Sequence, residues 1–177
     1  MPTTVRSLVT DRLRMEPLSD DGELADLQRV FNSNPDFIDA SESGRKREYG
    51  LGEVGLYLWQ ETVREDSTCL AIRQRDSGKL IECAAVLTPN PDDQVPWIGL
   101  LILDARHQRR GLGSEAVEAL ERSLADDGWS NLRLNALTAL PDARRFWERL
   151  GYAVTAEQED GDRRPVCLME KRLTAEG

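Results

Sequence analysis

Apolar residues alternate at Leu13 and Met15 within 11–18 before Pro17 interrupts them, which predicts a short strand. From about Asp21 the period changes, and Leu24, Leu27, Val30 and Phe31 recur at helical spacing. Residues 32–52 mix Pro, Gly, Ser and charge and read as a loop with room for a short helix. A second helix is predicted over 53–64, with Val54, Leu58 and Tyr57 turned inward. Three strands follow at 69–75, 80–87 and 97–103, separated by a tight turn at 76–78 and a polar connection at 89–96. Beyond a polar loop at 104–110, Gly111-Leu112-Gly113 opens a helix running to about 127. Val117, Leu120 and Leu124 form its buried stripe, and Glu115, Glu118, Glu121 and Arg122 face water. Leu132, Leu134 and Ala136 alternate as a strand. Pro141 then starts a helix with Ala143, Phe146 and Leu150 on one face, and Gly151 ends it. A terminal hairpin is expected from 152–155 and 166–172 across the loop 157–164. The order β-α-α-β-β-β-α-β-α-β-β is a mixed α/β sheet.

Composition narrows the classes this pattern can serve. With 177 residues and 40% hydrophobic, the chain suits one compact domain, expected over 1–177. A net charge of −9 repels phosphate backbones, so nucleic acid is not expected as a main partner. No run reaches the roughly 18 apolar residues of a membrane helix, and MPTTVRSLVTDRLRME lacks a signal peptide's apolar stretch. A cytoplasmic protein without a membrane partner is the expectation. Cys69, Cys83 and Cys167 are scattered and odd in number, which suits buried neutral thiols rather than disulfides or zinc ligands. His107 is the single histidine, so no metal site is expected and Ser-His-Asp chemistry is disfavoured.

Chemistry concentrates in Gln108-Arg109-Arg110-Gly111-Leu112-Gly113-Ser114, between a strand and a helix. Two glycines allow close backbone approach, and the helix start offers unpaired N–H groups with partial positive charge, a combination suited to phosphate. Arg106, Arg109 and Arg110 gather positive charge in an acidic protein, which points to a polyanionic ligand. A solvated arginine patch is the plainer alternative. A Walker-type loop needs Lys-Ser/Thr after its last glycine, and Ser114-Glu115 does not supply it. Residues 111–116 match G-x-G-x-x-A, but 104–110 separate them from the strand, and 131–137 has no acidic residue for a ribose.

Gln108, Gly111 and Gly113 match Q/R-x-x-G-x-G/A, and 143–152 supplies an alanine, the dipeptide Phe146-Trp147 and Gly151-Tyr152. In that order, these segments resemble the GNAT superfamily of acetyl-CoA-dependent N-acetyltransferases. The resemblance implies a mostly antiparallel central sheet flanked by helices and splayed between its fourth and fifth strands, 97–103 and 132–137. It implies acetyl-CoA as co-substrate, with the pantetheine arm in that gap beside Leu101, Ile102 and Leu103 and against Phe146 and Trp147. Gln108 and the backbone N–H groups of Arg109, Arg110, Gly111, Leu112, Gly113 and Ser114 would hold the pyrophosphate. The N–H of Leu103 would stabilise the oxyanion as an amine attacks the thioester. The implied acceptor is a small primary amine, a cationic one suiting the acidic charge. A peptide or protein N-terminus is the second acceptor class, and a non-catalytic acyl-CoA-binding module is the rival of another kind. A monomer or homodimer fits either.

Two positions depart from the family pattern. Leu140 stands where many members carry Asn, and Trp147 where many carry a Tyr that protonates the thiolate. Trp97 occupies the strand position of a glutamate base in some relatives, so no side-chain acid or base is assigned. Other candidates have ordinary structural readings beside functional ones. His107 could touch a phosphate or pack under the loop; Glu53, Tyr57 and Glu61 could wall the acceptor or form a plain helix face. Glu82 could relay a proton or point outward. Tyr152 could act as an acid or pack at a strand start. Asp20-Asp21-Gly22-Glu23 reads as a solvated helix start.

Overall fold

The computed structural model describes residues 5–19, 23–64 and 66–174. Eight strands form one sheet: β1 (Leu8–Val9), β2 (Leu13–Pro17), β3 (Ser67–Gln74), β4 (Leu80–Leu87), β5 (Trp97–Leu103), β6 (Asn131–Leu137), β7 (Ala153–Glu159) and β8 (Pro165–Arg172). Their order across the sheet is β1-β2-β3-β4-β5-β6-β8-β7, antiparallel throughout except where β5 meets β6. The helices are α1 (Leu24–Asn32), α2 (Pro35–Ser41), α3 (Leu51–Thr62), α4 (Leu112–Asp126) and α5 (Pro141–Arg149).

Burial explains the layers. Leu27, Val30 and Phe31 of α1 and Val54 and Leu58 of α3 cover one face of the sheet through Cys69, Ala71, Cys83, Ala85 and Leu100. Leu112, Ala116 and Leu120 of α4 cover the other through Leu70, Ile72, Ile81, Ala84 and Val86. With a helix on each side, all eight residues of β4 are buried, so it reads as an apolar run rather than an alternation. Val117 and Leu124 carry α4 onward over Leu132, Leu134 and Trp147, where β6 and α5 pack.

Two bulges shape the centre. On β5, Val86 pairs with Ile98 and Ala85 with Leu100, leaving Gly99 as an extra residue. On β4, Arg73 pairs with Leu80 and Ile72 with Glu82, leaving Ile81 as the extra one. The second bulge breaks the alternation, so Ile81 and Glu82 both turn toward α4.

The elements follow the sequence expectation with a few differences. β1 is an addition, α2 is the short helix for which 32–52 left room, and the hairpin arms are longer, with β7 reaching Glu159. The expected helix start at 20–22 lies outside the described residues. Glu121, expected to face water, is buried: it accepts from the Tyr152 hydroxyl at 2.9 Å and the Lys171 ammonium at 2.6 Å.

Candidate active site

The sheet opens where β5 leaves β6. Parallel pairing joins Trp97 to Arg133 and Ile98 to Leu134, and no described pairing continues beyond it. The Gly99 bulge follows immediately and bends β5 away. Asp104 N–H donates to the Ile81 carbonyl at 2.8 Å, so alternation sends the backbone groups of Ile102 to β4 and those of Leu101 and Leu103 into the gap. An open strand edge presents unpaired donors and acceptors that another extended chain can meet.

At the end of β5 the chain passes through a 3-10 turn (Ala105–His107) into the start of α4. Arg109 has φ +60° and Gly111 +77°, the left-handed conformations that fold the loop over the helix start. The first intrahelical donor is Glu115, bonding to the Gly111 carbonyl at 3.0 Å, so the N–H groups before it lack helical partners. The loop is braced from behind. Arg12 donates to the Arg110 carbonyl at 2.9 Å and to Glu115 at 2.6 Å, and Thr10 donates to the same carboxylate. Burial raises the Glu115 pKa, but the bonds from Thr10 and Arg12 outweigh it and hold the carboxyl below its ordinary value.

A cleft of about 1130 Å³ joins the open edge to this cradle. Leu101, Ile102, Leu103, Gln108, Arg109, Gly111, Gly113, Ser114, Phe146 and Trp147 all line it. Two expected residues contribute no side chain: Leu112 is buried in the core under β4, and the Arg110 side chain lies outside the lining. Arg145 and Arg149 of α5 also line the cleft, Arg145 paired with Asp142 at 2.6 Å, and the sequence reading missed both.

Asp104, with no exposed side-chain surface, organises the approach. It accepts from Arg29 at 2.5 Å and from Arg106 at 3.0 Å. Burial pushes its pKa up, yet the Arg106 bonds and the Arg106 and Arg29 charges prevail and bring it down to about 2. Arg106 is thereby committed to Asp104 rather than free for a ligand. His107 Nδ1 sits 3.7 Å from Asp104, under the loop and outside the cleft lining.

The remaining candidates separate cleanly. Trp97 donates its indole N–H to Asp93 at 2.8 Å, and Glu53 accepts from the Gly50 N–H at 2.8 Å as a helix cap. Tyr57 packs on Phe31 and Tyr49, and burial raises its pKa. Tyr152 packs edge-on against Trp147 and bonds Glu121, away from the cleft lining, with a hydroxyl that burial pushes far up. Glu61 stands beside the bulge, Oε2 being 3.4 Å from where a Cβ on Gly99 would lie, and burial raises its pKa. Glu82 lines the cleft floor, fully buried. The three cysteines are free and buried, and burial pushes the Cys69 thiol up to about 12. Among the described residues no helix is long and apolar enough to cross a membrane, and no cluster of metal-ligating side chains occurs.

A splayed sheet edge leading to a glycine-rich helix start defines an acyltransferase fold that solved structures share. An acetyltransferase from Thermus thermophilus is 20% identical, with TM-score 0.74 over 94% of this chain and 99% of that one. A probable GNAT-family acetyltransferase from Chromobacterium violaceum is 13% identical, with TM-score 0.81 over 97% and 89%. Spermidine N-acetyltransferase from Vibrio cholerae, solved with CoA and spermine, is 15% identical, with TM-score 0.68 over 93% and 97%. No protein of curated function matches the sequence. The acetyltransferase (GNAT) family model matches residues 30–152, and the chain belongs to that family.

Proposed function

We propose that this acyltransferase moves the acetyl group of acetyl-CoA to a small primary amine, the chain acting as one domain. The observation that carries the reading is the continuity between the open edge at Leu101 and the Leu103 N–H and the unpartnered N–H groups at the start of α4. The N–H groups from Arg109 to Ser114, with the Arg109 side chain, hold the pyrophosphate. Leu101 and Leu103 meet the pantetheine arm as a strand edge would, and Phe146 and Trp147 wall it from water.

The acceptor nitrogen attacks the thioester carbonyl with its lone pair, so only the unprotonated amine reacts. Negative charge gathers on the carbonyl oxygen and is met by the Leu103 N–H, fixed in the gap before reaction begins. Attack forms the C–N bond and the nitrogen then loses a proton; collapse restores the C=O bond and breaks C–S, and the sulfur leaves as a thiolate. A thiol pKa of about 8.5 lets it leave without an acid, so Trp147 in place of a phenol is no obstacle. The acidic surface supports a cationic acceptor, concentrated near the protein by its field.

The experiment is thiol release from acetyl-CoA across polyamines, aminoglycosides and peptides with free N-termini. Turnover highest with small polyamines or aminoglycosides supports the reading. Peptide turnover alone replaces the acceptor class. Coenzyme binding without turnover on any amine makes the chain a binding module.

A further inference from the structure

Seven of the eight buried positions of β4 are apolar, and the eighth is Glu82. Its side chain is fully buried, and neither carboxyl oxygen has a hydrogen-bond partner. Buried polar groups in native proteins are paired almost without exception, and an unpaired carboxyl is among the most costly to leave. An apolar residue would fill the site at no such cost. The position is built rather than incidental, because the Ile81 bulge turns Glu82 toward α4 and away from the α1–α3 core.

Its surroundings say what the missing partner is. Glu82 stands opposite Leu103 in register and lines the floor of the cleft. Its Oε1 lies 3.8 Å from where a Cβ on Gly113 would be, so the absent side chain leaves the carboxyl facing the start of α4. The elements packed around it present Ile72 from β3, Leu103 from β5, Gly113 from α4 and Phe146 from α5, none of them titratable. The charged groups of the cleft, Asp36, Asp39, Arg109, Asp142, Arg145 and Arg149, make no bond to it. Burial without an opposing charge raises its pKa well above the ordinary carboxylate range and favours the neutral form. A neutral carboxyl offers one donor and acceptor capacity side by side, which matches an amide or a hydroxyl rather than a phosphate.

We propose that Glu82 is the polar contact for the coenzyme arm, meeting the hydroxyl and amide of the segment next to the pyrophosphate. The inference rests on the acetyl-CoA reading above and assigns a coenzyme-selecting residue on a strand that reading does not use. Once bound, the arm supplies the partner that Glu82 lacks.

Calorimetry with CoA and with adenosine 3′,5′-bisphosphate, which has no arm, tests it on wild type, Glu82→Gln and Glu82→Leu. Expected is a loss of CoA affinity of about tenfold or more in Glu82→Leu. Bisphosphate affinity should not change, and Glu82→Gln, which keeps a donor and an acceptor, should stay near wild type. Glu82→Leu should also unfold at or above the wild-type temperature. Glu82→Met carries the same prediction if the branched side chain does not fold. Unchanged CoA affinity in the apolar variant overturns the inference, as does an equal loss for the armless ligand. Wild type that fails to bind CoA overturns the acetyl-CoA reading itself, and the inference with it.

Discussion

Asn34, at the corner between α1 and α2, donates its side-chain amide to the Leu103 carbonyl at 2.9 Å. Gln108 donates to the same carbonyl at 3.1 Å and to Asn34 Oδ1 at 2.8 Å. The last carbonyl of the open edge is therefore held from two sides. Asn34→Ala removes its own bond to Leu103, the one it accepts from Gln108 and the one to the Val30 carbonyl, leaving the Leu103 carbonyl held by Gln108 alone. It should destabilise the fold by about 1–2 kcal/mol. It should also raise the KM for acetyl-CoA more than that for the amine. Denaturant unfolding and steady-state kinetics with each substrate varied check both parts.

Gly113 has ordinary backbone angles, and a Cβ there would lie 3.5 Å from the Phe146 ring. Gly113→Ala should therefore fold and bind coenzyme with a small loss. Gly113→Val pushes methyl groups into the cleft floor and should weaken CoA binding at least tenfold, about 1.4 kcal/mol. Calorimetry on both folded variants decides it, and equal affinities would remove Gly113 from the site.

Charge around the cleft divides by what each arginine already touches. Arg109 and Arg149 line the cleft, whereas Arg106 is bound to Asp104 and Arg145, also in the lining, to Asp142 at 2.6 Å. CoA affinity should fall as salt rises, and replacing Arg109 and Arg149 with Ala should flatten that slope. Arg106→Ala should leave the slope unchanged. Affinity measured from low to high salt separates the two groups.

Asp104 sets the acid limit of the fold. Its folded pKa of about 2 lies below the ordinary 3.8, so the folded state keeps the charge that the unfolded chain loses first. The stabilisation is present above pH 3.8 and is lost as pH falls toward 2, an effect of about 2 kcal/mol. Asp104→Asn should be less stable than wild type near neutrality, and the gap should close across that window. Thermal unfolding from pH 7 to pH 2 measures it.

How much of this is readable in the sequence depends on the range of the forces involved. β4 and β5 lie at the predicted bounds because each is an apolar run between turn-forming residues, a purely local signal. The glycine start of α4 is equally local. α2 has one buried residue, Ile38, and β7 has none, so neither carries a hydrophobic period. Glu121 sits by helical spacing on the polar face of α4. Its partners Tyr152 and Lys171 arrive 31 and 50 residues later, and no local pattern announces them. Glu82 stays ambiguous in the sequence for a different reason: alternation assigns its face only if the Ile81 bulge is known, and a bulge is a property of pairing with β3. Arg145 and Arg149 belong to the cleft only because the sheet brings α5 beside α4.

The contact between β5 and β6 spans two residue pairs, and it alone joins β1–β5 to the β6-β8-β7 group through backbone hydrogen bonds among the described residues. The sheet is thus two leaves on a short spine, with α4 laid across both as a cover. A chain that binds in the opening adds rungs between the leaves and becomes a structural member of the sheet while it stays. Occupancy then governs how far the leaves can part, and the empty protein should breathe along this seam before it opens anywhere else.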